Sequence, residues 1–515
     1  MKTRRLWRWS RPWPAALALL LLGGAARAET IEVQLLQLND VYELTALPQV
    51  AGLLRQLRAQ QPNTLLLHAG DLLSPSALGT AVVQGERLQG RQMVAVLNQL
   101  QPDAVTFGNH EFDLPEAALR QRLKESRFAW LSSNVRSASG EPLPGTASEQ
   151  LREFRGTGGG RFRLALLGLT LPSNPAPYVR YGDPITSAIS SARQLRERGA
   201  DAVLALTHQS LSQDQQLADS QAAIDLILGG HEHENIQQLR LRQQGPGPAH
   251  CPSRGVPIAK ADANARSLLL HTLRFNSSSG CLSVSSQLLL VDGQLPVDAE
   301  VAAEVERWQE LAFAAFRRQG LEPAETIATT AAALDGREAQ VRNGRTNLSE
   351  LLGEAMLQAS SGSELALYNS GAIRIDDQLP AGAIRQYDVI RVLPFGGTIE
   401  QVALPGAVLQ QVLEIGERNR GSGGYLQSQG LSRTAAGRWL VNGSPLDPQR
   451  RYRVAINDFL LSGREQGLAL LGSEAPQLQR LAAPVDWRQA VIQRLRRLSA
   501  DAAQPQQALS ARQRP

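Results

Sequence analysis

The sequence predicts an α/β protein with two domains that are joined by a helix. At 515 residues the chain is longer than one hydrophobic core usually supports. Short apolar runs alternate with helical stretches from Glu29 to about Asp292, and again from about Ile327 to Leu498. This alternation is typical of layered α/β domains. Between them, apolar residues recur at helical spacing over 298–319, which predicts a connecting helix.

The amino-terminal residues 1–28 predict a secretory signal peptide. Five basic residues precede the apolar stretch Ala15–Leu22, and Ala26-Arg27-Ala28 has the pattern of a cleavage site. The apolar stretch is shorter than the roughly 20 residues of a membrane span. We therefore expect a secreted, periplasmic protein with no membrane span in the mature chain.

Removal of that segment also changes the charge. Residues 1–28 carry six basic and no acidic side chains, so the formal net charge of +5 becomes −1 in the mature chain. This balance gives no support for a nucleic acid polymer as partner.

Boundaries and cysteines complete the predicted organisation. The predicted segments are a signal peptide at 1–28, a first α/β domain at 29–297, a linker helix at 298–326, a second α/β domain at 327–500 and a disordered tail at 501–515.

Cys251 and Cys281 flank Val256–Asp262 and Ser267–Phe275, which predict a hairpin. In an exported chain the two cysteines form either a disulfide or two buried thiols. The composition of Gly140–Gly160 predicts a surface loop.

Five polar motifs in the first domain each follow a predicted strand. The strands are Ile31–Leu38, Thr64–Leu67, Asp103–Phe107, Ala202–Leu206 and Ile224–Leu228; the motifs are Asn39-Asp40, Gly70-Asp71, Gly108-Asn109-His110-Glu111-Phe112-Asp113, Thr207-His208 and Gly229-Gly230-His231-Glu232-His233. Ligands gather outside the carboxyl ends of such strands. Oxygen and imidazole groups brought to one sheet edge predict a hydrolytic site with two metal ions.

Each donor has a predicted place in that site. Asp71 is the candidate bridge between the metals, because Gly70 permits a tight turn and close approach. Asp40 and His233 are predicted on the first metal. The predicted ligands of the second metal are Asn109, His208 and His231. Mixed oxygen and nitrogen donors favour zinc, manganese or cobalt.

His110 and Asp113 predict a catalytic pair next to the metals. A histidine beside a ligating Asn109 can protonate a leaving oxygen or stabilise charge on the transferred group. Asp113 can hold the imidazole in one tautomer. The alternative is that Asp113 caps a helix that begins near Pro115.

Together these motifs resemble the calcineurin-like metallophosphoesterases, and more closely the exported 5′-nucleotidase and UDP-sugar hydrolase family, over the whole mature chain. The resemblance implies an amino-terminal four-layer α/β/β/α sandwich and a carboxyl-terminal α/β substrate-binding domain. It also implies two divalent metal ions, a nucleotide substrate and a His110–Asp113 dyad. The metal ligands it implies are Asp40, Asp71, Asn109, His208, His231 and His233.

The second domain carries segments similar to those that bind the nucleotide in the same family. Leu393-Pro394-Phe395-Gly396-Gly397 and Asn457-Asp458-Phe459 match segments whose phenylalanines clamp the base. Asn369 and Arg374 match residues that contact base and phosphate. Arg342 matches a phosphate-binding arginine, and Arg345 is a second candidate.

Two positions depart from the family pattern. The first motif usually reads Asp-x-His, whereas this chain has Asp40-Val41-Tyr42, which suggests a subgroup. Tyr42 either ligates the first metal as a phenolate, or it stacks or hydrogen-bonds and leaves that site one ligand short. Where the family often has Gly-Gly-Asp for the ribose, Glu465 is the candidate here.

The resulting prediction is an exported 5′-nucleotidase-type hydrolase of nucleotide catabolism, which releases phosphate by attack of a metal-bound hydroxide. The alternatives are a 2′,3′-cyclic-nucleotide phosphodiesterase with 3′-nucleotidase activity and a UDP-sugar hydrolase. A sulfate-ester hydrolase or thiosulfohydrolase is disfavoured by Phe395 and Phe459. An alternative of another class is a non-catalytic nucleotide-binding protein.

Overall fold

The computed structural model describes residues 29–173, 175–241, 251, 255–472, 475 and 477–511. The predicted signal peptide lies outside the described residues. Within these ranges, no helix combines the length and apolar character needed to cross a membrane.

The amino-terminal domain is a four-layer α/β/β/α sandwich, as predicted. Its first sheet has seven strands, in the order Leu282–Leu290, Ser267–Asn276, Thr30–Leu38, Thr64–His68, Ala104–Thr106, Trp130–Leu131 and Thr146–Ala147. Its second sheet has six strands, in the order Ile236–Leu241, Gly255–Lys260, Leu226–Gly229, Ala202–His208, Arg161–Thr170 and Glu149–Arg155. Leu35, Leu67 and Leu204 are among the buried side chains that fill the space between the sheets.

Helices cover the outer faces of both sheets. Those of the first domain are Leu47–Gln60, Arg91–Leu100, Glu116–Glu125, Pro184–Glu197 and Leu211–Asp219, followed by the linker helix Ala299–Arg317. Asp298 is the N-cap of the linker helix, and its carboxylate accepts from the amides of Glu300 and Val301. Such a cap satisfies amides that have no partner in the first turn. Buried Val301 and Trp308 anchor this helix in the core.

Parallel pairing carries the five motifs to the same edge. Thr30–Leu38 pairs in parallel with Thr64–His68, with Leu38 opposite His68. In the second sheet, Ala202–His208 pairs in parallel with Leu226–Gly229, with Thr207 opposite Gly229. Because parallel strands end together, the residues after them meet at one edge.

The carboxyl-terminal domain has its own mixed sheet. Its strands run in the order Leu426–Gln429, Leu365–Asn369, Arg451–Asn457, Thr398–Pro405 and Gln479–Arg480, and Val485–Asp486 also pairs with Thr398–Pro405. Its helices are Glu338–Val341, Asn347–Ala359, Gln386–Val392, Gly406–Arg418, Asp458–Leu461 and Trp487–Ala511. Short strands complete the molecule: Val82–Val83 with Glu86–Arg87, Val135–Ser137 with Val179–Tyr181, Thr326–Thr330 with Gly382–Arg385, Leu334–Asp335 with Gln378–Leu379, and Leu431–Arg433 with Trp439–Val441 and Ser444–Pro445.

The predicted hairpin between the cysteines is wrong. Gly255–Lys260 belongs to the second sheet and Ser267–Asn276 to the first, and the turn Ala263–Ala265 carries the chain between them. Cys251 and Cys281 nevertheless form a disulfide, with an S–S distance of 2.09 Å. The bond therefore ties together segments that lead into different sheets.

Two predicted irregular segments contain regular structure. The loop predicted at Gly140–Gly160 includes the strands Thr146–Ala147 and Glu149–Arg155, which complete the edges of both sheets. The last helix runs to Ala511, so it continues into the tail predicted to be disordered. Alanine and glutamine are frequent there and have high helix propensity.

A histidine between the sheets gives a testable pH dependence. Gln37 Nε2 donates to the carbonyls of Gly229 (2.9 Å) and Ala259 (3.0 Å), so Gln37 Oε1 must accept from His271 Nε2, 3.0 Å away. Burial lowers the pKa of His271 to about 4. The unfolded chain therefore binds the additional proton between about pH 6.5 and 4, and stability falls as the pH drops through that window.

We expect His271→Gln to lose less stability than the wild type on acidification. A pKa difference of this size corresponds to roughly 2 kcal/mol between pH 7 and 5. Urea denaturation at both pH values measures the difference. Glutamine keeps a donor for Gln37, and identical losses in the two proteins would contradict the expected role.

Candidate active site

Three donors of the predicted metal site lie close together at the carboxyl ends of the strands. Oxygen and nitrogen atoms of Asp40, Asp71 and His208 lie within 4.8 Å of one another, and all three residues are buried. His208 Nε2 is 3.2 Å from Asp71 Oδ2 and 3.8 Å from Asp40 Oδ1. His233 Nε2 is 3.3 Å from Asp40 Oδ1. The His231 ring centre lies 5.4 Å from that of His208.

The backbone at these donors is strained. Asp40, Asp71, His231 and His233 have φ angles of 52°, 57°, 88° and 60°. Left-handed backbone is costly for residues other than glycine, and it concentrates at functional sites. A Cβ atom at Gly108 would lie 2.0 Å from Asp71 Oδ1, so glycine is required for the carboxylate to occupy its place.

The donor set fits divalent metal ions. Among the described residues, Asp40 Oδ1, Asn109 Oδ1 and His208 Nε2 are buried side-chain atoms without a hydrogen-bond partner. Buried polar atoms normally have partners. Carboxylate, amide and imidazole donors together suit a divalent metal ion.

Charges in the cluster compensate one another. Burial opposes ionisation of Asp40, but the charges of His208 and His233 outweigh it and lower the pKa of that carboxyl. Burial likewise opposes protonation of His208, yet Asp71 and Asp40 raise its pKa to about 9. Two carboxylates this close need positive charge beside them, and the imidazoles of His208 and His233, whose pKa values the neighbouring carboxylates raise, can supply it.

Tyr42 lies inside this cluster. Its hydroxyl donates to Asp71 Oδ2 at 3.1 Å and lies 3.3 Å from His233 Nε2. Burial and the charge of Asp71 raise the pKa of Tyr42 well above its usual value. The phenol is therefore protonated in this arrangement and acts as a hydrogen-bond donor to the candidate bridging carboxylate.

Two acidic residues brace the donor loops. Glu111 is fully buried and accepts from the amides of Asp71 (3.0 Å), Leu72 (2.7 Å), Leu73 (3.0 Å) and Gly108 (2.6 Å). Burial and Asp71 raise its pKa to about 7. Asp376 lies in the carboxyl-terminal domain, and its Oδ2 is 3.1 Å from His233 Nδ1.

A buried lysine joins the loops that carry the histidines. Lys260 Nζ donates to the carbonyls of Gln209 (2.6 Å) and Gly230 (2.8 Å). It also pairs with Asp214 at 2.9 Å and with Glu232. Gln209 follows His208, and Glu232 stands between His231 and His233. Lys260 thereby fixes the positions of all three histidine ligand candidates relative to one another.

His110 and Asp113 form the predicted pair. His110 Nδ1 is 2.7 Å from Asp113 Oδ2, and the His110 amide donates to Asp71 Oδ1 at 2.8 Å. Burial disfavours the charged ring, but Asp71 and Asp113 raise the pKa of His110. Asp113 does not cap the following helix, because Pro115 holds the N-cap position.

The His110–Asp113 pair contacts the second domain through Arg374. Arg374 Nη2 donates to Asp113 Oδ2 at 3.0 Å. Arg374, Phe395 and Phe459 line a cavity of about 530 Å³ that Asp113 closes from the first domain. Both phenylalanines are exposed, at 55% and 39%. The buried Arg374 Nε has no partner among the described residues. A cation and two aromatic faces thus meet in one cavity.

Further contacts join the two domains. They are Tyr387 Oη to Glu43 Oε2 at 2.8 Å, Arg391 to Glu43 at 3.4 Å and Arg266 to Asp377 at 2.7 Å. The donor cluster, the His110–Asp113 pair and the cavity form one continuous site.

Family models match both halves of the chain. Residues 33–235 match the calcineurin-like phosphoesterase model, and residues 326–470 match the 5′-nucleotidase C-terminal domain model. The chain belongs to the 5′-nucleotidase family. The first match falls within residues 29–297, and the second begins at residue 326, one residue before the predicted second domain.

Relatives and solved structures agree with this family. Snake venom 5′-nucleotidase of Naja atra is 26% identical over 82% of this chain and 85% of its own length. Protein UshA of Yersinia enterocolitica is 27% identical over 79% and 78%. The 5′-nucleotidase precursor from Thermus thermophilus superposes with a TM-score of 0.68 at 24% identity, covering 91% of this chain and 97% of that structure, which establishes a shared fold.

In this 5′-nucleotidase-family protein, three predicted substrate residues lie outside the cavity. Arg342 pairs with Glu338. Arg345 lines a separate cavity. Glu465 Oε1 accepts from the Gln466 amide at 2.9 Å, whereas Asp458 of the Asn457-Asp458-Phe459 motif lines the cavity. Asn369 lines the cavity between the domains.

Several residues of the site are not predicted from the sequence. Glu111 stands inside the motif at 108–113, and Asn457 and Asp458 stand inside the motif at 457–459. Membership of these motifs is the sequence signal that points to the three residues. Lys260 is one of only three lysines in the chain, and this rarity was a signal. Asp376 carried none, because its partner lies in the other domain.

Proposed function

We propose that this chain is a metal-dependent phosphohydrolase that releases phosphate from nucleotides. The observation that carries the proposal is the continuity of the site. Asp71 in the donor cluster accepts from the His110 amide, His110 contacts Asp113, and Asp113 contacts Arg374 in the cavity. One substrate can therefore reach the metals and the aromatic cavity together.

Two divalent ions are proposed between the histidines and carboxylates. Asp71 is central, with Asp40 and His233 on one side and Asn109, His208 and His231 on the other. When bound, such ions lower the pKa of a water molecule and neutralise charge on phosphoryl oxygens. Tyr42 contributes a hydrogen bond to Asp71.

The side chains of this protein hold the phosphoryl group and a proton. Because His110 Nδ1 bonds Asp113, Nε2 is the ring atom left to donate to the leaving oxygen or to the transferred group. The unpartnered, buried Nε of half-buried Arg374 suits a phosphate oxygen, since guanidinium groups form strong hydrogen bonds to phosphate. Arg374 also orients Asp113.

The two exposed phenylalanines are proposed to hold the base. Phe395→Ala and Phe459→Ala should each raise the KM for a nucleoside monophosphate about 10- to 100-fold, because base–aromatic stacking contributes about 1–3 kcal/mol. Steady-state kinetics measures this. Ribose 5-phosphate has no base and serves as the control substrate, so an equal rise in its KM would contradict the assignment.

A substrate panel tests the function itself. The mature protein is stripped with a chelator and assayed with Mn²⁺, Zn²⁺, Co²⁺ or Mg²⁺ on nucleoside 5′-phosphates, 2′,3′-cyclic nucleotides and UDP-glucose. We expect phosphate release from 5′-phosphates that requires added metal. Dominant turnover of cyclic nucleotides or UDP-glucose would support those alternatives, and nucleotide binding without turnover on any metal would overturn the proposal.

Export is proposed from residues 1–28. Periplasmic extraction of cells that express the full chain, followed by amino-terminal sequencing, is expected to yield a protein that begins near Glu29.

A further inference from the structure

A second cavity in the carboxyl-terminal domain is rich in arginine. It has a volume of about 390 Å³ and shares no lining residue with the cavity that Phe395 and Phe459 line. Its charged lining residues are Arg345, Arg420, Arg433 and Glu417. Positive charge is therefore in excess, and a concave surface with such an excess attracts anions.

The guanidinium groups are held in place by local contacts. Arg420 lies 4.6 Å from the Tyr425 ring centre and Arg433 lies 5.3 Å from that of Trp439. Arg420 Nη2 donates to Glu417 at 2.8 Å, whereas Arg433 Nη1 is 4.0 Å from the same carboxylate. One carboxylate thus serves two cations.

Arg433 and Arg345 retain donors for a ligand, whereas both terminal nitrogens of Arg420 already have acceptors, which are the Asn343 carbonyl, Glu417 and Tyr425 Oη. A guanidinium has five N–H groups. Arg433 donates through Nε to the Gly437 carbonyl at 2.9 Å, and Arg345 donates through Nη2 to Ser428 and Leu431. Among the described contacts, both nitrogens at the end of Arg433 and Nη1 of Arg345 have no hydrogen-bond acceptor.

We infer that this cavity is a second anion site, distinct from the catalytic centre, that binds phosphoryl groups. Arginine matches the geometry of phosphate oxygens better than any other side chain, and it is weakly hydrated. The aromatic faces keep two of the guanidiniums ordered, so less side-chain entropy is lost on binding. Free phosphate and the phosphate of a nucleotide share the recognised group.

The wall of this cavity also contacts the first one. Tyr425 and Arg420 line the arginine cavity, and the Tyr425 carbonyl accepts from the Ser370 amide at 2.7 Å. The Gly423 carbonyl accepts from the Gly371 amide at 2.8 Å, and Gly371 lines the cavity between the domains. An anion that orders residues 419–425 therefore acts on a segment next to Arg374.

Titration calorimetry on the metal-loaded mature protein tests the site. The probes are inorganic phosphate and, separately, a non-hydrolysable phosphonate analogue of a nucleoside monophosphate. We expect Arg420→Gln/Arg433→Gln to weaken one class of binding at least tenfold. Arg438→Gln is the matched control, because Arg438 is exposed on the same turn and does not line the cavity. Arg374→Gln should affect the other class.

The two probes distinguish the sources of the phosphoryl group. Loss confined to phosphate identifies free phosphate as the ligand, and loss confined to the analogue identifies a nucleotide. Hydrogen exchange locates the effect, because ligand should slow amide exchange in residues 419–425 in the wild type but not in the double variant. If the double variant unfolds, the same titrations are made with the single variant Arg433→Gln, because Arg433 is exposed and its replacement should not disturb the fold. Isotherms of the arginine variants that coincide with those of Arg438→Gln would overturn the inference.

Discussion

Asp71→Asn is expected to reduce phosphate release by about a thousandfold, which corresponds to about 4 kcal/mol of transition-state stabilisation. Asp71 is buried and is contacted by Tyr42, by His208 and by the amide of His110. Asparagine keeps the size of the side chain but removes the charge that two cations would share. Initial rates with saturating metal measure the effect.

Metal content gives an independent measurement of the same variant. We expect fewer bound metal ions per chain in Asp71→Asn than in the wild type. Asp183→Asn is the control, because Asp183 caps the helix Pro184–Glu197 at the surface and asparagine is an equally good cap. Activity of Asp71→Asn within tenfold of the wild type would refute the central role.

Lys260→Met is expected to lower the free energy of unfolding by roughly 3–5 kcal/mol, because removal of one partner leaves buried charges uncompensated. Lys260 has no exposed surface, and Asp214 beside it is equally buried. Urea denaturation measures the loss. Lys124→Met is the matched control, since Lys124 is the other lysine of the described chain and is exposed.

A double variant separates the charge from the packing. In Lys260→Met/Asp214→Leu one of the stranded carboxylates is gone, so its unfolding free energy should exceed that of Lys260→Met. A loss below about 1 kcal/mol in Lys260→Met would show that the buried pairs are dispensable. The same variants should bind metal more weakly if the histidine loops move apart.

The sequence located the donor cluster because its ligands follow strands whose ends must meet. Asp40, Asp71 and His208 stand directly after apolar runs, and parallel pairing leaves them little freedom in space. The helices Leu47–Gln60 and Ala299–Arg317 are also predictable from the sequence, because their apolar residues recur at helical spacing.

The sheet assignment of the strands after Cys251 and the contacts of Arg342 and Arg345 depend on long-range packing that local sequence patterns do not encode. The strands on either side of the turn Ala263–Ala265 have the alternation of a hairpin, and only packing assigns them to different sheets. Arg342 and Arg345 both lie within five residues of the start of the helix Asn347–Ala359, yet Arg345 donates to the Leu431 carbonyl on a separate strand. No local spacing distinguishes the two arginines.

The contact between His233 and Asp376 crosses the domain boundary. With His233 as a ligand of the first metal, anything that changes the domain arrangement changes the orientation of that ligand, and thermodynamic reciprocity requires the converse. The fraction of chains with a metal ion in the first site would then depend on how the two domains are arranged. A compound that wedges the two domains apart would make the protein release this ion more readily, without touching any atom that binds it.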